Sequence, residues 1–172
     1  MFRNQYDSNH SFELGEEAEK EFCRLAIENG FTVFPAVAYT DMHEHIDFII
    51  CKCTEREYSV DVKGMKRISR NGEPQDKQIW IELHGVNKDN EGWLYGGKAY
   101  FIAFQMEFGF YLVRRTDLIG LVEKYVHFDV IVDYPEQAQF CVYQRLGRED
   151  KLTLIPSCLL KTIWNRFWND WQ

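Results

Sequence analysis

Two aspartates and a lysine carry the sharpest chemistry in this sequence. Asp47 lies in HEHIDFIICK, and Asp61-Val62-Lys63 closes REYSVDVKG; both runs read as strands, joined by a short turn. By strand parity Ser59, Asp61 and Lys63 share one face, while Tyr58, Val60 and Val62 share the other. Asp47 is flanked by Ile46 and Phe48 on one face and by Ile49 on its own. A carboxylate in such a run costs several kcal/mol to bury unless a cation or a donor meets it. A metal ion or a lysine would serve. Hard Mg²⁺ takes carboxylate oxygens and keeps several waters. It polarises a phosphoryl oxygen and lowers the pKa of a bound water. A lysine alongside orients that water or stabilises developing charge. The chemistry these residue types would perform together is metal-assisted phosphodiester hydrolysis.

Positioning them requires a hairpin and something to pack on it. Residues 12–29 show helical periodicity that stops at Asn29-Gly30. With about 100° per residue, Phe12, Phe22, Cys23 and Ala26 fall within about 60° of Glu19, which places this acid in the buried stripe. Glu16 is the backup, and Glu17, Glu21 and Glu28 face away. FTVFPAV is a short strand, and the hairpin strands lie near 45–52 and 57–63. Residues 64–77 are a polar loop with Gly64, Gly72 and Pro74. QIWIELHG, KAYFIAFQ, FGFYLVRR, QFCVYQRL and KLTLIP read as further strands. TDLIGLVEKYV is a helix with Thr116 as its cap. The three- and four-residue steps of Trp164, Phe167, Trp168 and Trp171 predict a C-terminal helix, its aromatics serving the core or a dimer interface. The element order gives an α/β domain spanning 1–172, a central mixed β-sheet flanked by helices.

Hydrophobic residues at 45% and aromatics at 16% give a chain of 172 residues a real core and argue against disorder. No stretch reaches the length of a membrane helix, and the N-terminus lacks an apolar signal core, so a cytoplasmic location with no membrane partner is expected. Cys23, Cys51, Cys53, Cys141 and Cys158 are scattered and read as reduced, buried thiols. A net charge of −7 counts against nucleic-acid binding, but local distribution matters more than the sum. Lys63, Lys66, Arg67 and Arg70 cluster in KGMKRISRNG. Trp93, Tyr95, Lys98 and Tyr100 interleave with glycines in EGWLYGGKAYF, a pattern that either stacks on bases or forms a tight turn with core aromatics. Gln78 and Glu82 either complete a metal site or line an exposed strand face. His43-x-His45 with Cys51-x-Cys53 matches no zinc-finger spacing.

The helix glutamate, Asp47 and Asp61-Val62-Lys63 together resemble the PD-(D/E)XK nuclease superfamily, the restriction-endonuclease-like fold. GEEAEKEFCRLAIENGFTVFPA, HIDFII and YSVDVKG are most similar to its Holliday junction resolvase-type branch, in which a Gly-x-x-Ala-Glu helix precedes the same two strands. The likeness covers residues 15–64, and Ile46 stands where the motif has proline. It implies an endo- or exonuclease acting on nucleic acid, DNA before RNA. Asp47 and Asp61 would be ligands of Mg²⁺ (or Mn²⁺), Glu19 an acid near the metal and Lys63 the catalytic lysine. Lys66, Arg67, Arg70 and Lys98 are candidate nucleic-acid contacts, and a homodimer fits the family. The rival expectation is an idle module of the same fold that binds nucleic acid or a protein partner.

Overall fold

A computed structural model describes residues 5–37, 43–53, 56–69, 72–86 and 91–169, with the side chains of the first helix from Glu13 onward. That helix, α1 (Gln5–Glu28), ends as expected, at Gly30 with φ +80°. Then follow β1 (Thr32–Pro35), β2 (Phe48–Cys51), β3 (Tyr58–Lys63) and β4 (Gln78–His84). A short helix α2 (Gly92–Gly96) leads to β5 (Phe101–Met106) and β6 (Gly109–Arg114). After α3 (Arg115–Tyr125) come β7 (His127–Val132), β8 (Cys141–Gln144), β9 (Lys151–Pro156) and β10 (Asn165–Trp168). None of the described helices is long and apolar enough to cross a membrane.

The expected single sheet is two. A mixed six-stranded sheet runs β1-β2-β3-β5-β6-β10, with β3 and β5 parallel and the other neighbours antiparallel. A four-stranded sheet runs β4-β9-β8-β7. Parallel neighbours cannot be joined by a tight turn. The crossover between β3 and β5, residues 64–100, therefore leaves the first sheet and supplies β4 to the second. Val60, Val62, Phe110 and Trp168 on one face of the six-stranded sheet pack under Ala18, Phe22 and Leu25 of α1. Ile102 and Phe104 on the opposite face join Ile81 of β4, Leu94 of α2, Leu118 and Val122 of α3 and Ile155 of β9 in a second core. β3 is thus buried on both faces, and Asp61 enters the interior on the side away from α1.

Three sequence expectations are corrected. The C-terminal aromatics form no α-helix: Ser157–Thr162 is a 3₁₀ segment, and β10 then pairs antiparallel with β6. Trp164 stacks on Phe101 at 5.1 Å, and Trp168 packs on Phe22 and Phe31 at 5.6 and 5.2 Å. Phe167 meets Tyr111 at 4.6 Å on the other face. Strand alternation seats all three aromatics and closes the open edge of β6, which a helix would leave bare. Gly109 (φ +138°) permits this close approach, since a Cβ there would sit 1.9 Å from the Trp168 carbonyl oxygen. Trp171 lies outside the described residues. At α3 the helix starts at Arg115, so Thr116 is inside it, and the cap position, Arg114, makes no side-chain cap bond. All five cysteines are free thiols, but none is buried: Cys53 and Cys158 are exposed and the others half-buried.

Candidate functional site

Asp47 stands one residue before β2, at the end of the ladder with β3. The preceding turn holds His45 at φ +52°. The Asp47 N–H donates to the Val60 carbonyl at 2.9 Å, and its own carbonyl accepts from Ala36 at 2.8 Å. Its Oδ2 accepts the Val62 N–H at 2.6 Å, replacing the backbone oxygen that a continued strand would present. A side chain tied to the neighbouring strand in this way is fixed relative to Asp61.

Asp61 is 2% exposed. Its Oδ1 receives the Lys63 ammonium at 2.7 Å, the i, i+2 pair that strand parity predicts. The Lys63 Nζ also lies 5.0 Å above the Trp93 ring of α2, a cation–π contact. Trp93 reaches that place because Gly92 (φ +65°) lies directly against β4, where a Cβ would meet the Glu82 carbonyl oxygen at 2.8 Å. Asp61 Oδ2 is buried with no hydrogen-bond donor, and the Asp47 carboxyl hydrogen-bonds the Asp61 side chain only if a proton is shared between them. Burial pushes the Asp61 carboxyl above its usual range. The charge and hydrogen bond of Lys63 offset this first, then Asp47 and Lys66. Two facing carboxyls need a proton or a cation between them.

Lys66 extends the cluster. Its side chain is exposed by surface area and lines the cleft between β3 and β4. Desolvation by the surrounding protein is the leading cause lowering its pKa; Lys63 adds to it, and Glu82 and Asp61 oppose it. The cleft, lined by Lys63, Met65, Lys66, Gln75, Gln78 and Trp80, holds a cavity of about 20 Å³. That is room for one water and far too little for a nucleotide.

The structure unites Asp47, Asp61 and Lys63, and adds Lys66, Glu82 and Trp93 around them. It does not bring in Glu19. The buried stripe of α1 runs through Ala18, Phe22, Leu25 and Ala26, leaving Glu19 half-buried on its flank. There Glu19 lines a groove with Glu16, Lys20, Cys23 and Phe48. Leu25 belongs to the stripe at about 120° from Glu19, so the centre of the stripe turns away from that acid. Because α1 covers the Val60–Val62 face, the sheet lies between the helix and the Asp61 side chain. Among the described residues no three His, Cys, Asp or Glu side chains group as a metal cage. His43, His45, Cys51 and Cys53 form none. Two carboxylates still fit Mg²⁺ or Mn²⁺, since Mg²⁺ is held by one or two of them with waters and substrate phosphate. The donorless Asp61 Oδ2 is the atom such an ion would satisfy.

Of the expected nucleic-acid contacts, Arg67 is half-buried and its carbonyl accepts the Trp80 indole N–H at 3.1 Å. Lys98 is exposed, with its ammonium paired to Glu44 at 3.0 Å. Arg70 lies outside the described residues. Glu82 was visible in the sequence as a polar residue on a strand, but nothing in a linear reading says that β4 passes beside Lys66. Compared with protein-family models, curated proteins and solved structures, the chain matches none.

Proposed function

We propose that this chain is a metal-dependent nuclease of the restriction-endonuclease-like kind, hydrolysing phosphodiester bonds, with DNA as the favoured substrate. The observation that carries the reading is the buried Asp61 carboxylate, with the Asp47 carboxyl on one side and the Lys63 ammonium at 2.7 Å on the other. Asp47 and Asp61 would hold Mg²⁺ or Mn²⁺. The bound ion supplies Lewis-acid stabilisation of the phosphoryl oxygen and a water of lowered pKa. The chain does the rest. The Val62 N–H fixes the Asp47 carboxylate. Asp61 and Trp93 hold the Lys63 ammonium where it can orient water and stabilise negative charge on a scissile phosphate. Lys66 places a second cation at the mouth of the cleft, where it can meet a phosphate oxygen as a charged donor.

A second reading, an idle module of the same architecture, draws on the near-complete burial of Asp61, which suits a structural ion pair. The two are separated by adding Mg²⁺ or Mn²⁺ to purified protein with single-stranded, duplex, flap and four-way-junction DNA and with RNA. The nuclease reading expects cleavage of at least one form, lost by about a hundredfold or more in Asp61→Asn and in Lys63→Met. It also expects Mn²⁺ binding by calorimetry that Asp61→Asn abolishes. If no form is cut and no Mn²⁺ binds, the nuclease reading is abandoned.

A further inference from the structure

We infer that the α1-side face of the six-stranded sheet carries, beyond the end that the helix covers, a binding shelf for unpaired bases of a single-stranded nucleic acid. This does not depend on the hydrolytic reading, because Asp61 and Lys63 point from the opposite face of the same sheet.

The shelf is a run of rings at the starts of β3, β5 and β10. Tyr58 lies 5.1 Å from Tyr100 and 5.2 Å from Phe101, and Phe101 stacks on Trp164 at 5.1 Å with 21° between the planes. Each end is capped by an arginine. Arg56 sits over both tyrosines, 5.9 and 5.6 Å from the ring centres, and Arg114 lies 4.7 Å above Trp164. Phe22 of α1 makes its ring contacts with Phe48, Phe110 and Trp168, away from this run. Tyr100 and Arg56 are exposed, and Tyr58 and Trp164 are half-buried.

Two further observations separate this from an ordinary aromatic border. The first is charge. In a chain of net charge −7, the strand residues of this face include Arg114 and the exposed Arg166 and no carboxylate, by the registers of β1 to β3, β5, β6 and β10. The second is an unmet donor: Nε of Arg114 is buried and has no hydrogen-bond acceptor among the described residues. Flat rings with a guanidinium at each end suit unpaired bases flanked by phosphates along a single strand. A duplex keeps its bases stacked internally and offers these rings nothing to stack on.

The test is fluorescence anisotropy in EDTA, which removes any metal and any cleavage. The probe is a labelled oligothymidylate of about twelve residues, compared with a blunt duplex of equal length. Saturable binding of the single strand, with the duplex at least about tenfold weaker, is expected. Tyr100→Ala should weaken binding about five- to tenfold by losing one stacked base. Arg56→Gln should lower the slope of log affinity against log salt by about 0.7, the loss of one phosphate contact. Lys20→Gln, an exposed charge removed from α1, controls for net charge and should change neither. Tyr100 and Arg56 are exposed, so folding survives both changes, and circular dichroism verifies it. Absence of saturable single-strand binding, equal affinity for the duplex, or Tyr100→Ala and Arg56→Gln binding like the wild type would each overturn the inference.

Discussion

Lys63→Met tests the electrostatics of the site independently of any activity. In the wild type, Asp61 is almost fully buried and its Oδ1 has the Lys63 ammonium as partner at 2.7 Å. Replacing the lysine with an apolar side chain of similar length keeps the contact with Trp93 and removes only the charge. Breaking a buried pair from one side costs about 3–5 kcal/mol. The Lys63 side chain is 20% exposed, so the lower end, about 3 kcal/mol, is the expectation at neutral pH. For a domain of this size that is a fall in Tm of about 6–12 °C. Asp61→Asn should behave differently. The carboxyl is pushed above its usual range even with Lys63 present, so the charged form is less stable in the fold than in water. Removing its charge should leave stability unchanged or raise it. The Asp61→Asn, Lys63→Met double variant should therefore melt near the wild type, a coupling of about 3 kcal/mol. The pH dependence has a fixed sign. A carboxyl with its folded pKa raised binds the proton more tightly in the native state, so stability falls as pH rises from the unfolded value of 3.8 through the folded one. Lys63→Met should consequently regain wild-type stability below that window and lose it above, as read from melts across the acid to neutral range. A Lys63→Met melting temperature that tracks the wild type at every pH, or a double variant as unstable as Lys63→Met, would contradict a buried Asp61–Lys63 pair.

Two smaller changes probe the scaffold. Gly109→Ala would put a Cβ 1.9 Å from the Trp168 carbonyl oxygen at a φ of +138°, displacing β10 at a cost of about 2–3 kcal/mol. A lowered Tm with red-shifted tryptophan emission is the expected readout, and an unchanged melt would contradict the seating of β10. The Cys23 thiol is pushed up by burial first and by the Glu19 charge second. It should alkylate more slowly at mildly alkaline pH than the exposed Cys53 and Cys158. Glu19→Gln should speed Cys23 alone, as followed by peptide mass spectrometry; no acceleration would place Glu19 elsewhere than beside Cys23.

How far a linear reading reaches depends on which forces are local. The end of α1 at Asn29-Gly30, the hairpin strands β2 and β3 and the turn between β5 and β6 follow from capping, alternation and turn residues, all encoded within a few positions. The Asp61–Lys63 pair is equally local, since two residues two apart on a strand must share a face. The C-terminal segment misled for a physical reason: steps of three and four fit a helix, but strand alternation seats Trp164, Phe167 and Trp168 against partners far away in sequence. The edge of β6 decided between them. β7 and its place in a second sheet carry almost no pattern, because its residues are largely exposed on both faces.

The elements around the site and the shared face of Asp61 and Lys63 are thus written in the local sequence, because backbone geometry imposes these at short range. That Asp47 caps the ladder through the Val62 N–H and that Trp93 lies under Lys63 follow from long-range packing. The tertiary structure likewise set Lys66 and Glu82 beside the pair and Glu19 on the flank of a helix across the sheet. Those relations depend on which face each element buries and against what. That choice is made by the summed packing of the whole chain, not by any residue's immediate neighbours.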